Sequence, residues 1–443
     1  MRILISGDGE TATYLARQLS MENQDVVVMG LDSDRLAEID SRCNVMTMTG
    51  EATSPTSLAE AGVRDADLFI AVTPSQNVNL IASQIARDMG ARRTVARIDN
   101  YEYLSESNIT TFSSRGVDTM VYPEYLVARQ IESGIRHNNF RSWQNLCGGA
   151  FAVASVRIRH GDTLENMPLT EFGARYDKFH VTAIKRRRDI IIPRGSDTIK
   201  RGDIVYFSIV GGSSPELADL CCRPLRKISH VMIAGAGKIA RRLVCLLKDY
   251  KVTVIDPDRT LCDSIRRLSS DITVSCADPG DIGVLEEEGI ASADAFIALN
   301  DSSEKNIVSS MIAREVGVAL TVADIEDIQY FTEAETLDID IIVNKKLTTG
   351  SAILEMLLDN GRHSTRCVAL EDAEYAEIEV HEGAKVTKAP VCRLSLSHDM
   401  TLAGLIRDNR GYPVDGDTLL QAGDRVVVFC LTGMLPRLKH MFE

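Results

Sequence analysis

Short apolar runs and amphipathic stretches alternate along the first third of the chain. Ile3–Ile5, Val26–Met29, Val45–Met48, Leu68–Val72 and Thr94–Ile98 are rich in apolar and β-branched residues. Their length suits strands covered on both faces. Between them, Thr11–Leu19 and Asn79–Met89 repeat apolar residues at helical spacing. Such alternation predicts a parallel sheet with helices on both sides.

The pattern then starts again. MRILISGDGETATYLARQL at the start is echoed by HVMIAGAGKIARRLVCLL from His230. Ala61-Gly62-Val63, Ala66-Asp67 and Ile70–Thr73 followed by Asn79 return as Glu288-Gly289-Ile290, Ala293-Asp294 and Ile297–Asn300 followed by Asn306. Val95–Ile98 returns as Val322–Ile325. A β-rich segment follows each copy: Ile190–Pro193, Asp197-Thr198 and Gly202–Phe207, then Tyr412-Pro413, Asp417-Thr418 and Gly423–Phe429. A repeat of this kind reads as duplicated structure. The expected fold class is α/β, with two Rossmann-like parallel-sheet domains, each followed by a small α+β domain. The expected domains are 1–140, 141–225, 226–362 and 363–443, with junctions near Gly148 and Arg226.

Each α/β copy closes on one more helical segment. Tyr122–Ile131 carries Pro123 at its start, where the missing N–H costs nothing. Ala352–Leu358 stops near Gly361. Either reading stays open for both: a core helix of its own domain, or an arm packed on a neighbouring one.

The 443 residues, 44% hydrophobic and 25% charged, suit an ordinary globular protein of several domains. No apolar stretch reaches the roughly 18 residues of a transmembrane helix, and no signal-peptide pattern opens the chain. The expected location is the cytoplasm. A net charge of −14 argues against nucleic acid and against direct insertion at anionic lipid. The basic run Lys185–Arg188 reads as a solvated hairpin tip. The ten cysteines form no CxxC pair and read as small buried hydrophobes in a reducing compartment.

Gly7-Asp8-Gly9 and Gly235-Ala236-Gly237 each join a strand to a helix. The first glycine permits the turn, the second admits phosphate to the backbone, and Ala12 or Ala240 lets the helix pack closely. Free amides and the helix dipole favour an anion there, so Glu10-Thr11 and Lys238-Ile239 complete the two loops. An acid at the end of the second strand accepts ribose hydroxyls in such sites. Asp256 stands there in the second copy; Gly30 occupies the place in the first. Asp32 nearby either reaches the ribose or caps the next helix. Later strand ends add Glu51, Ala52, Thr73, Pro74 and Arg97 to site one, and Asp278 and Asn300 to site two. Arg97 faces a phosphate or a neighbouring subunit, or makes a structural ion pair.

A dehydrogenase needs a proton donor or acceptor beside its nicotinamide. The first copy has no histidine before His137 and no lysine before Lys178, and His230 reads as a surface residue. GxxxxGK[ST], HExxH and clustered metal ligands are absent, so no catalytic or metal residues are assigned. The expected role is sensing a nucleotide rather than consuming it. An NAD-dependent oxidoreductase and an assembly scaffold with degenerate sites are the alternatives.

Taken together and twice over, these motifs resemble the TrkA potassium-uptake regulatory proteins, tandem members of the regulators of potassium conductance. Gly7-Asp8-Gly9, Ala61–Val63, Ala66-Asp67, Ile70–Thr73 with Asn79, Val95–Arg97, Ile192-Pro193 and Gly202-Asp203 carry the resemblance, with their second-copy partners. It implies a regulatory subunit that binds NAD(H) or ATP/ADP. It also implies a ring, in a homo-oligomer of tetramer type, beneath a membrane potassium-translocating subunit of the TrkH type. The location implied is peripheral to the inner face of the membrane. Gly30 and Asn300 depart from the family pattern, and so do Gln76-Asn77, which stand where acids are usual.

Overall fold

The computed structural model describes residues 1–21, 24–146, 149–176, 178–187, 189–211, 215–220, 225–327, 339–358, 367–370, 373–394, 396–431 and 440–443, together with Tyr330, Ala334, Leu337 and Met434. Gly148, Arg188, Gly361, Cys147, Cys221 and Cys222 lie outside them. The chain divides into two units, one of Met1–Leu126 with Lys345–Leu358, the other of Val127–Asn344 with Asp359–Glu443.

The first unit holds β1 (Arg2–Ser6), α1 (Glu10–Met21), β2 (Asp25–Gly30), α2 (Ser33–Arg42), β3 (Met46–Thr49), α3 (Pro55–Glu60), β4 (Leu68–Ala71), α4 (Gln76–Met89), β5 (Thr94–Arg97), α5 (Glu106–Ser114) and β6 (Thr119–Val121). Among the described residues its sheet has six parallel strands in the order β3-β2-β1-β4-β5-β6. That order is the doubly wound one, with β1 central and the order of strand addition reversing between β1 and β4. Alternation along β1 sends Ile3 and Ile5 to one face, with Leu15 and Leu19 of α1, and Leu4 to the other, with Ala82 and Ala86 of α4. α4 begins before the expected Asn79 because Ser75 caps it, accepting from the Val78 amide.

α6 (Pro123–Arg136) leaves the first unit at Leu126. From Val127 onward it belongs to the second unit, where Val127, Ala128, Ile131 and Ile135 are buried with Val231, Leu243, Leu320 and Ile341. The second unit continues through β7 (Ser142–Leu146), β8 (Phe151–Arg157), α7 (Leu169–Arg175), β9 (Phe179–Arg186), β10 (Asp189–Ile191), β11 (Ile204–Val210) and α8 (Pro215–Leu220). The second α/β copy follows as β12 (His230–Ala234), α9 (Lys238–Leu246), β13 (Lys251–Ile255), α10 (Arg259–Arg266), β14 (Thr273–Ser275), α11 (Ile282–Glu287), β15 (Ala295–Ala298), α12 (Ser303–Val316), β16 (Leu320–Asp324) and β17 (Ile341–Val343). Its sheet repeats the first, β14-β13-β12-β15-β16-β17.

α13 (Lys345–Leu358), the last helix of the second copy, sits in the first unit. Ile353 and Leu354 are buried among Leu15, Val28 and Ile70, and Lys346 Nζ lies 2.5 Å from Glu10 Oε2. The two closing helices are therefore arms. Each copy's sheet is covered by the closing helix of the other. Gly350 of α13 meets the ring of Tyr14, leaving no room for a β-carbon. Gly350→Val is expected to destabilise the first unit by about 1–3 kcal/mol through overpacking. Hydrogen exchange of the α1 and α13 amides reads the loss.

The last segment comprises β18 (Cys367–Leu370), β19 (Ala373–Glu379), β20 (Met400–Arg407), β21 (Arg410–Tyr412) and β22 (Arg425–Leu431). Two five-stranded antiparallel sheets result among the described residues, β10-β9-β11-β8-β7 and β18-β19-β22-β20-β21. Phe151, Ala183, Tyr375, Ala403 and Phe429 fill one core between them. Within it Thr182 Oγ1 and the Tyr375 hydroxyl lie 2.5 Å apart, and burial pushes the Tyr375 phenol well above its usual range. His180 Nε2 lies 3.1 Å from Thr401 Oγ1, and burial lowers its pKa to about 4.

Three expectations from sequence are corrected. Lys185 and Arg186 are not part of a solvated tip: Lys185 is buried, and Arg186 makes a bidentate pair with buried Asp203, 2.8 Å on each arm. Arg187, exposed and at φ +59°, lies in the turn that follows β9. His230 is buried in β12 with Nε2 3.0 Å from Thr253 Oγ1. The cysteines are not uniformly buried: Cys262 and Cys430 are, but Cys245, Cys276 and Cys392 are exposed.

Candidate functional site

Parallel register brings the carboxyl ends of the strands to one edge. Ser6 stands beside Met29 and Ala71, Ala71 beside Ala96, and Gly30 beside Thr49. The residues that follow these ends, Gly7, Gly30-Leu31-Asp32, Glu51-Ala52, Thr73-Pro74 and Arg97, gather there for that reason. Gly235, Asp256, Asn300 and Asp324 gather likewise at the second sheet.

The glycine loops are alike. Gly7 has φ +136° and Gly235 φ +106°, a region that side chains rarely adopt. A β-carbon would also stand 3.1 Å from the Val72 carbonyl at Gly7 and 2.5 Å from the Leu299 oxygen at Gly235. Gly9 and Gly237 face open space, with nothing within 4 Å of an added β-carbon. Ala12 and Ala240 are fully buried where α1 and α9 meet their sheets. Each helix thus starts at a loop whose second glycine leaves the backbone approachable.

A carboxylate ties each loop to the end of the second strand. Asp256 accepts the Ala236 amide at 2.7 Å on Oδ2 and the Asp258 amide at 2.7 Å on Oδ1. In the first copy the carboxylate comes from the loop: Asp8 Oδ2 accepts the Leu31 and Asp32 amides, both at 2.9 Å. Asp32 itself caps α2, accepting from the Asp34 and Arg35 amides, as Asp258 caps α10. Of the two readings of Asp32, the cap is the one its contacts support. The loop motif alone does not mark Asp8 as the residue that takes Asp256's place. The missing glycine side chain at position 30 was the available signal.

The fourth strand ends are clamped by buried asparagines. Asn79 Oδ1 accepts from the Thr73 amide (2.9 Å) and hydroxyl (2.6 Å), while its Nδ2 donates to the Thr73 and Arg97 carbonyls. Asn306 does the same for Asn300 and Asp324. These clamps hold β4 to β5 and β15 to β16 just beyond their ladders. Sequence reading noted both asparagines in the repeat but gave them no role. Arg97, half-buried at the end of β5, presents its carbonyl to Asn79 Nδ2 at 2.9 Å.

The remaining residues are less central. Glu51 is exposed and accepts from Thr53; Ala52 is core; Pro74 is exposed; Asp278 is exposed and turns its chain by accepting from Gly280. Glu10 pairs with Lys346, and the Ile239 side chain lies in the core, so Ile239 offers the site only its backbone. Beneath Asp256 the buried Cys262 thiol donates to the Asp256 carbonyl at 3.2 Å, and burial beside Cys276 pushes its pKa up to about 12. No helix of the described residues is long and apolar enough to cross a membrane.

Comparison with known proteins points one way. The TrkA-N domain model matches residues 3–123 and again 231–345, and the TrkA-C domain model matches 153–220. The chain is 28% identical over 438 residues to the Trk system potassium uptake protein TrkA of Halomonas elongata, covering 97% of this chain and 96% of that one. Among solved structures it is similar to a GsuK channel bound to NAD, with TM-score 0.60 and 16% identity over 100% of this chain and 78% of that one. It is also similar to GsuK bound to ADP, with TM-score 0.52 and 14% identity over 81% and 70%.

Proposed function

The chain belongs to the TrkA family, with the TrkA-N domain present twice, and we propose that it is the nucleotide-sensing regulatory subunit of a membrane potassium-uptake system. The observation that carries this is the duplicated cradle. Two glycine loops, each with an open second glycine and a carboxylate bridging loop and second strand, stand at the carboxyl edge of two matching sheets. Edges of this kind receive nucleotides. The ligands are NAD(H) or ATP/ADP, as the NAD-bound and ADP-bound GsuK structures suggest. Site one uses the Gly7–Thr11 loop, the Gly30–Asp32 turn, Thr73 and Arg97; site two uses Gly235–Ile239, Asp256 and Asn300.

The role is a switch rather than catalysis. A ligand shifts conformation only by binding one state more tightly. The four sequence domains, 1–140, 141–225, 226–362 and 363–443, are the parts it moves, with α6 and α13 exchanged between the α/β copies. The partner is a membrane potassium-translocating subunit of the TrkH type. Chains assemble as a homo-oligomer, a tetramer, on the cytoplasmic face, where an acidic protein reaches the membrane through a protein and not through lipid.

Calorimetry with NAD⁺, NADH, ATP and ADP, paired with small-angle scattering of the saturated and stripped protein, tests this. Binding without turnover and a ligand-dependent scattering curve are expected. Hydride transfer at rates above background would favour an oxidoreductase, and an unchanged curve at saturation a scaffold. Co-purification with the transporter then ties the switch to potassium.

A further inference from the structure

The two cradles reach the same arrangement from opposite sides. In the second copy the strand supplies the carboxylate, Asp256, and the loop supplies a small residue, Ala236, which is fully buried. In the first copy the loop supplies the carboxylate, Asp8, and the strand supplies Gly30. The two positions are coupled by space. A β-carbon on Gly30 would lie 2.6 Å from both Cβ and Oδ2 of Asp8. One carboxylate fits at this junction, and Asp8/Gly30 and Ala236/Asp256 are two ways of placing it.

We propose that Asp8 is the ribose-hydroxyl acceptor of the first site, its specificity-determining residue, filling the role that the strand-end Asp256 fills in the second. This rests on the reading of the first cradle as a nucleotide site. Both backbone amides address Asp8 Oδ2, and among the described residues none addresses Oδ1. A carboxylate oxygen accepts about two hydrogen bonds, so Oδ1 keeps its capacity for a ligand. Asp8 is also half-exposed beside the open Gly9, where a ligand's ribose and phosphates would enter. The amides hold the carboxylate in place, so little ordering is left to be done on binding. Its charge favours a ribose with free 2′ and 3′ hydroxyls and repels one with a 2′-phosphate.

The test uses the full chain carrying Gly237→Glu, so that binding reports the first site. NADH is titrated against NADPH, and ADP against 2′-phospho-ADP. The Gly237→Glu chain is expected to prefer the unphosphorylated ribose. Asp8→Ala should weaken that ligand by about tenfold or more, the scale of a hydrogen bond to a charged group, and erase the preference. Gly30→Asp alone should weaken binding through its collision with Asp8. The double variant Asp8→Ala/Gly30→Asp should restore both affinity and preference, because it rebuilds the second site's arrangement in the first. Asp8→Ala with the preference intact would overturn the assignment, and so would equal weakening of both ligands that the double variant does not rescue. A Gly237→Glu chain that binds none of the four, while a Gly9→Glu chain still binds, would remove the first site itself and with it the reading beneath the proposal.

Discussion

Glutamate at position 237 is expected to abolish nucleotide binding at the second site and leave the fold intact. An added β-carbon at Gly237 meets nothing within 4 Å, so the side chain is accommodated without moving the backbone. What it occupies is the space through which phosphate would reach the loop amides and the start of α9. Its charge opposes the ligand's at short range in a site already holding Asp256. Steric exclusion and repulsion together put the loss at about a hundredfold or more, or roughly 3 kcal/mol. Calorimetric stoichiometry should fall by half if both sites are filled in the parent, with the melting temperature nearly unchanged. Gly9→Glu should do the same at the first site, for the same reason. A Gly237→Glu protein with parental stoichiometry and affinity would show that the loop is not the binding surface. Gly235 is unsuited to this test, because a side chain there strains the backbone and strikes the Leu299 oxygen, so fold and binding would be lost together.

Asp424→Ala is expected to produce the largest loss of stability, in the last antiparallel sheet. Asp424 is almost fully buried and accepts both arms of Arg407 at 2.7 Å and the Gln421 amide at 2.7 Å. The turn at Gly423-Asp424 is thereby tied to the end of β20. Removing the carboxylate strands a guanidinium and an amide together. Loss of one partner of a buried pair costs about 3–5 kcal/mol. Arg407 is a third exposed and recovers part of this from water, which favours the lower end. Asp203 repeats the arrangement with Arg186 and the Lys200 amide, so Asp203→Ala should act alike in the preceding sheet. Chains of several domains depart from two-state unfolding, so the measurement is native-state hydrogen exchange of the β20–β22 and β9–β11 amides. Arg407→Lys keeps the charge but loses the fork, and should cost less than Asp424→Ala. Equal protection in the parent and both alanine variants would show these pairs to be incidental.

Both α/β domains, their doubly wound sheets and the two small β-rich domains were legible from the chain alone. Periodicity and turn chemistry are local, and a duplicated sequence reports each signal twice. The glycine loops were legible for the same reason, and so was Asp256, because its position follows from where the second strand ends. The asparagines after β4 and β15 were visible as repeats, yet their role was not, since the Arg97 and Asp324 carbonyls they hold lie on another strand.

Other features were decided only in three dimensions. The apolar faces of α6 and α13 state that each helix is covered, but not by which sheet. The two sheets share one strand order and each offers an apolar face, and close fits such as Gly350 on Tyr14 and Gly134 on Ile341 accompany the exchange. His230, Lys185 and several cysteines were misplaced because exposure depends on neighbours from distant segments. The carboxylate of the first cradle was hidden because Asp8 and Gly30 sit on different strand ends. Their dependence on each other is steric, and contact between residues far apart in sequence exists only once the sheet has brought them together.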